Sequence, residues 1–177
     1  MNIKDNALVD GAIGSAPFDS EGVPGKNKII VSKGKLLENG LLHNSYTAGK
    51  EGVSSTGNGF RGSYKSLPSI NPTNLILEPG NHNIDEMIGE IKEGIFIGYT
   101  GDRPNISTGD FSGLIMHGNL IKNGEILDPL NETMFGINLL DLFKRIEAIS
   151  KEFKILGSYK APYIKIKEMR IIGSENR

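Results

Sequence analysis

Cysteine is absent from the chain, which removes disulfides, thiolate metal ligation and a cysteine nucleophile together. Charge of a single sign is absent too. Twenty Lys and Arg stand against 21 Asp and Glu, scattered to a net −1, so no basic stripe points to nucleic acid and no charged tail to an electrostatic partner. No apolar run approaches the roughly 18 residues of a membrane span. The start, Met1-Asn2-Ile3-Lys4-Asp5-Asn6, lacks the apolar core of a signal peptide. The expectation is a soluble, cytoplasmic chain with no membrane and no nucleic-acid partner. Histidine is scarce: His43, His82 and His117 are all there is, and none belongs to an H-E-x-x-H helix. Neither a G-x-S-x-G elbow nor a Ser–Lys motif occurs. The residues alone therefore indicate no catalytic residue, no metal site and no cofactor.

Apolar content is sufficient for a core. Ile, Leu, Val and Phe make up 50 of 177 residues, above the roughly 20% below which disorder is expected. Length favours one domain over residues 1–177, with room for a second small lobe. Ala7-Leu8-Val9 reads as a short strand, and Ile29-Ile30-Val31, Leu36-Leu37 and Leu41-Leu42 as strands joined by turns at Lys33-Gly34 and Asn39-Gly40. Ser45 to Glu51 fits a short helix capped by Ser45, with Gly52 beyond it. Asn83 caps a second helix, whose Ile84, Met87, Ile88 and Ile91 share one face. Strands follow at Ile95–Tyr99 and Thr108–Met116, then a hairpin around Asn123-Gly124. Gly136 to Lys151 carries Leu139, Leu140, Phe143, Ile146 and Ile149 at helical spacing and reads as the clearest helix. Tyr163 to Ile172 alternates as a strand, with a parity break near Glu168 that a bulge would absorb. The class is α+β: a β-rich antiparallel sheet or barrel-like domain with about three helices.

Two stretches carry the functional argument. Asp19 and Glu21 flank Ser20, a pair able to bind metal or act as acid and base; an Asx-turn at Asp19 is the simpler account. Ser54 to Gly80 is the longest irregular segment, rich in glycine at its start and interrupted by Pro68 and Pro72. Its Gly57-Asn58-Gly59-Phe60-Arg61-Gly62 matches G-x-G-x-x-G. A dinucleotide site needs a strand before that motif and a helix after it. Here a helix leads in and two prolines block a helix beyond, so nucleotide binding is rejected.

The order of short motifs resembles the TldD/PmbA family. Pro17-Phe18-Asp19-Ser20-Glu21-Gly22-Val23-Pro24, His43-Asn44-Ser45-Tyr46-Thr47-Ala48 and Ser55-Thr56-Gly57-Asn58-Gly59 come first. Pro72-Thr73-Asn74-Leu75-Ile76-Leu77-Glu78-Pro79-Gly80, Ser107-Thr108-Gly109-Asp110-Phe111-Ser112, the hairpin at Ile121–Ile126 and Gly136-Ile137-Asn138-Leu139-Leu140 follow. The resemblance spans residues 1 to 173 and is to the family's C-terminal domain, without its N-terminal domain.

That resemblance implies a component of a TldD–TldE-type zinc metallopeptidase system that processes peptides. TldD-type members carry zinc through an upstream H-E-x-x-x-H helix and have a cysteine near the C-terminus, features this sequence does not contain. It therefore resembles the zinc-free partner subunit, TldE or PmbA, and the expected partners are a TldD-like catalytic subunit or a second copy, with peptide as substrate. The peptide- or partner-binding candidates are Ser55, Thr56, Gly57, Asn58, Gly59, Arg61, Ser63 and Tyr64, in the glycine-rich loop. Arg61 leads them, because a guanidinium grips a carboxylate in two parallel hydrogen bonds. Uncovered apolar surface is expected to make the chain a homodimer or larger. Two alternatives stand beside this: an independent metal-dependent hydrolase using Asp19, Glu21 and a histidine, and a folded remnant with only an interaction role.

Overall fold

The computed structural model describes residues 1–173, which form two compact units: Met1–Pro79 with Phe153–Pro162, and Gly80–Glu152 with the residues from Tyr163 onward. The chain order is β1 (Ile3–Asn6), β2 (Asn27–Ser32), β3 (Lys35–Leu36), a 3-10 turn (Glu38–Gly40), α1 (Ser45–Glu51), β4 (Gly59–Phe60), β5 (Ser69–Ile70) and β6 (Leu75–Leu77). Then come α2 (Ile84–Gly89), β7 (Glu93–Tyr99), β8 (Asp110–Leu114), β9 (His117–Lys122), β10 (Glu125–Pro129), β11 (Met134–Asn138), α3 (Leu139–Lys144), β12 (Ile146–Leu156), β13 (Tyr159–Ile166) and β14 (Arg170–Ile172). The class is α+β and strand-rich, as expected, in open sheets rather than a barrel. Among the described residues no helix is long and apolar enough to cross a membrane.

The first unit is built on a sheet in the order β12-β13-β6-β1-β2-β3. β1 runs antiparallel to β2 and β6, and β2 to β3, while β13 meets β6 in parallel, with Tyr159 opposite Leu75 and Lys160 opposite Ile76. β1 is Ile3–Asn6, and the expected strand at Ala7-Leu8-Val9 is instead a turn, with Ala7 buried under the close approach of Gly25. Lys33 and Gly34 both have positive φ, at 50° and 80°, and close the β2–β3 hairpin as read. Asn39-Gly40 does not make a second hairpin. Gly40 ends the 3-10 turn, and a Cβ there would lie 2.5 Å from the Ile30 carbonyl, so glycine answers a close approach to β2. The cap of α1 is Asn44 rather than Ser45: its side chain accepts from the Thr47 amide.

In the second unit β10-β9-β7 form one antiparallel sheet and β14-β11-β8 another. Asn123 and Gly124, with φ of 50° and 82°, close the β9–β10 hairpin as the sequence indicates. Asn83 caps α2 as expected, and Glu152 Oε2 takes the Ile84 amide. The helix read over Gly136–Lys151 is mostly not one. Residues to Asn138 are strand β11, Asn138 caps a six-residue α3, and β12 starts at Ile146. Ala148 and Ser150 are buried on one face of β12, so period two wins over the helical spacing of the leucines and isoleucines. Ser150, wholly buried, donates to the Glu152 carbonyl at 2.6 Å and accepts from the Tyr163 amide at 2.8 Å. The parity break near Glu168 is also resolved differently. Glu168 takes φ of 57° and the chain passes from β13 to β14, a change of sheet and not a bulge.

Candidate functional site

The glycine-rich loop is fastened to a buried polar network that begins on β1. Asp5 is wholly buried. Its Oδ1 accepts from the amide and hydroxyl of Thr73, both at 2.7 Å, and its Oδ2 from Asn58 Nδ2 at 2.8 Å. Lys28 Nζ on β2 lies 3.0 Å from the same carboxylate and donates to the Thr56 carbonyl at 3.1 Å. A buried carboxylate needs such partners to stay charged. Thr56 Oγ1 accepts from the His43 amide at 2.7 Å, and its one proton faces the His43 carbonyl and Asn58 Oδ1. Among the described residues no buried side-chain polar atom lacks a partner.

Seen against this network, the eight candidate residues fall into two groups. Thr56, Gly57, Asn58 and Gly59 face inward, and Ser55 is half-buried with its hydroxyl on the His43 carbonyl. Gly57 has φ of 74° and its Cβ position would lie 2.6 Å from the Pro24 carbonyl; that of Gly59 would meet the Glu21 carboxylate at 2.6 Å. The glycines therefore admit this chain's own Pro17–Pro24 segment. Arg61, Ser63 and Tyr64 lie outside, on the arm joining β4 to β5, with Tyr64 85% exposed and Leu67 90%. The Arg61 amide donates to Ser20 Oγ, while among the described residues its guanidinium has no partner.

Asp19 and Glu21 are engaged by backbone. Asp19 Oδ1 accepts from the amides of Glu21 and Val23, the Asx-turn that the sequence allows, and Oδ2 accepts from Gly59 at 2.7 Å. Glu21 Oε2 accepts from Ser45 at 2.7 Å. His43 is nearly buried, with Nδ1 3.3 Å from Thr47 Oγ1 and Nε2 3.8 Å from Glu51. His82 pairs by backbone with Ile149 and Lys151, and His117 opens β9. Among the described residues no three His, Asp or Glu side chains converge as a metal site. The residues that the sequence reading missed, Asp5, Lys28 and Thr73, organise the loop; Lys28 beside the apolar run Ile29-Ile30-Val31 was the one available signal, and the polar Ile3–Asn6 stretch gave none for Asp5.

A family model described as the PmbA/TldA metallopeptidase C-terminal domain matches residues 1–173. The chain belongs to the TldD/PmbA metallopeptidase family. It is similar to a metalloprotease of Methanocaldococcus jannaschii, 32% identical over 160 residues, covering 90% of this chain and 35% of that protein. A metalloprotease TldD homolog of Buchnera aphidicola is 30% identical over 154 residues, 86% of this chain and 32% of that one. The chain thus spans about a third of these TldD/PmbA relatives. Among solved structures, a putative modulator of a DNA gyrase from Thermotoga maritima superposes with a TM-score of 0.85 at 33% identity, over 97% of this chain and 39% of the other. TldE from Thermococcus kodakarensis gives a TM-score of 0.88 at 24% identity with the same coverage, a likeness of fold. These family names imply a bound metal, and the side chains of residues 1–173 do not assemble a site that fits one.

Proposed function

We propose that this domain acts as the zinc-free, TldE/PmbA-like part of a TldD–TldE-type peptidase system, holding a peptide or a TldD-like subunit rather than cutting the peptide. One observation carries the reading. The two carboxylates best placed for acid–base or metal chemistry, Asp19 and Glu21, have backbone amides as their partners. Asp19 takes three amides and Glu21 one, so both serve as acceptors that fasten the chain's own loop and the start of α1. What stays open to a partner is the β4–β5 arm, where Arg61, Tyr64 and Lys65 stand among small residues with no acid between Phe60 and Ser69. A guanidinium on such an arm suits a peptide carboxylate.

The experiment compares capture of an unfolded model peptide, and of a TldD-like subunit, by wild type, Arg61→Lys and Arg61→Ala. Arg61→Lys is expected to weaken capture with thermal stability unchanged, because lysine lacks the planar fork. Equal capture by all three discards the role of Arg61. Metal analysis of the purified chain tests the rest: stoichiometric zinc, lost on replacing the three histidines, overturns the zinc-free assignment.

A further inference from the structure

The β14-β11-β8 sheet has one packed and one bare face. On the packed side Phe135 is 4% exposed and meets Phe111 edge to face at 4.9 Å. Alternation along an antiparallel strand then puts polar residues on the other side wherever that side meets water. Here it does not. Met134 on β11 pairs with Leu114 on β8 and Ile172 on β14, so the three side chains form one apolar row across the sheet. They are 46%, 45% and 56% exposed, and Met116 just beyond Leu114 is exposed too. The next row is Ser112, Gly136 and Arg170, and the third is Asp110 with Asn138. A Cβ on Gly136 would find nothing within 4 Å, so the centre of the face is a shallow, open floor.

We infer that this face binds the same face of a second copy of the chain. The layout selects that occupant by its own symmetry. Two such faces stacked about a two-fold axis along β11 set the Leu114–Met134–Ile172 row against itself, Ile172 over Leu114 and Met134 over Met134. The same operation exchanges the two outer strands, so Arg170 of one copy comes to the side where its partner carries Asp110. An isologous contact repeats that pair twice. An axis across the strands would instead put the apolar row on Asp110, which is unfavourable. Among the described residues the Arg170 side chain has no partner within its own chain. Gly136 at the centre permits close approach, and methionine at the middle of the row adapts to an opposing surface. Three strands about 4.8 Å apart, two of five residues and one of three, give a small footprint. Association through it is accordingly weak and concentration-dependent.

This inference is independent of the peptidase reading, and charge reversal tests it on the whole chain. Sedimentation equilibrium from micromolar to millimolar concentration is expected to show a wild-type dimer, and Met134→Asp to abolish it. Arg170→Asp alone sets carboxylate against carboxylate at both contacts and Asp110→Arg alone sets guanidinium against guanidinium, so each is expected to be monomeric with an unchanged circular dichroism spectrum. Mixed in equal amounts, the two variants restore opposite charges at both contacts. The introduced aspartate of one meets the introduced arginine of the other, and the native Asp110 of the first meets the native Arg170 of the second. The dimer then returns as a heterodimer. A monomeric wild type overturns the proposal, as does a dimer that persists in Met134→Asp. A mixture that stays monomeric while both single variants are folded also overturns it.

Discussion

At the scale of the residue, the buried Lys28–Asp5 pair is where most depends on one side chain. Truncating one member leaves a charge without its counter-charge, which typically costs about 3–5 kcal/mol. Lys28→Met is expected to destabilise by about that much in urea unfolding, and also to loosen the Thr56 carbonyl that Lys28 holds. A loss under about 1 kcal/mol would mean the pair is solvated in solution. Glu78 gives the pH-dependent counterpart. Hydrogen bonds from Lys4, then from Asn2, hold its carboxyl below the ordinary glutamate value, against a smaller opposing effect of burial. A depressed folded value means stabilisation that is present above about pH 4.3 and lost as pH falls through the lowered value. With both partners about a third exposed, the amount is below about 1 kcal/mol and falls with salt. In Lys4→Met the Glu78 titration, followed by carboxyl NMR, is expected to move up toward the ordinary range. No movement would show that Lys4 is not its cause.

At the scale of the element, legibility followed the chemistry of turns and caps more than periodicity. Lys33-Gly34, Asn123-Gly124 and the Asn83 cap were readable because each rests on a few neighbouring atoms. The long helix from Gly136 was misread because Leu139, Leu140 and Phe143 truly are helical, and Ile146 and Ile149 continued the spacing by coincidence. Only tertiary burial of Ala148 and Ser150 shows the change of period, and a buried serine looks polar in sequence. Likewise the glycine-rich loop was visible as special, whereas its reason, contact with Pro24 and Glu21, lies over 30 residues upstream. The Asn123-Gly124 hairpin allows a paired test. Gly124 and Gly157 both have positive φ, but a Cβ on Gly124 would lie 2.8 Å from the Gly89 carbonyl, while one on Gly157 meets nothing within 4 Å. Gly157→Ala carries backbone strain alone, on the order of 1 kcal/mol. Gly124→Ala is expected to cost more by thermal unfolding, because the end of α2 must move aside. Equal costs would mean α2 yields freely.

At the scale of the molecule, the first unit is discontinuous in sequence. Its sheet from β6 to β3 comes from the first 79 residues, but the strand that flanks β6 begins at Tyr159. A fragment of residues 1–79 would bare the edge of β6, where the Leu75 amide otherwise donates to the Ser158 carbonyl. Unpaired edges seek other edges. The fragment is expected to aggregate or to lack dispersed amide NMR signals, and a well-dispersed soluble fragment would show that β13 is dispensable to the unit.

The parallel pairing of β13 with β6 also sets a clock. On a ribosome, Leu75 emerges about 80 residues before the Tyr159 that completes its side of the sheet. At about 5–20 residues per second, that interval is roughly 4–16 s. For that time the newborn N-terminal strands present a finished register with one unclaimed edge. The interval is long beside hairpin formation, which takes about 1–10 μs. The chain's most vulnerable moment therefore comes during its synthesis, and a cell making it in quantity must shield that edge until the penultimate strand arrives.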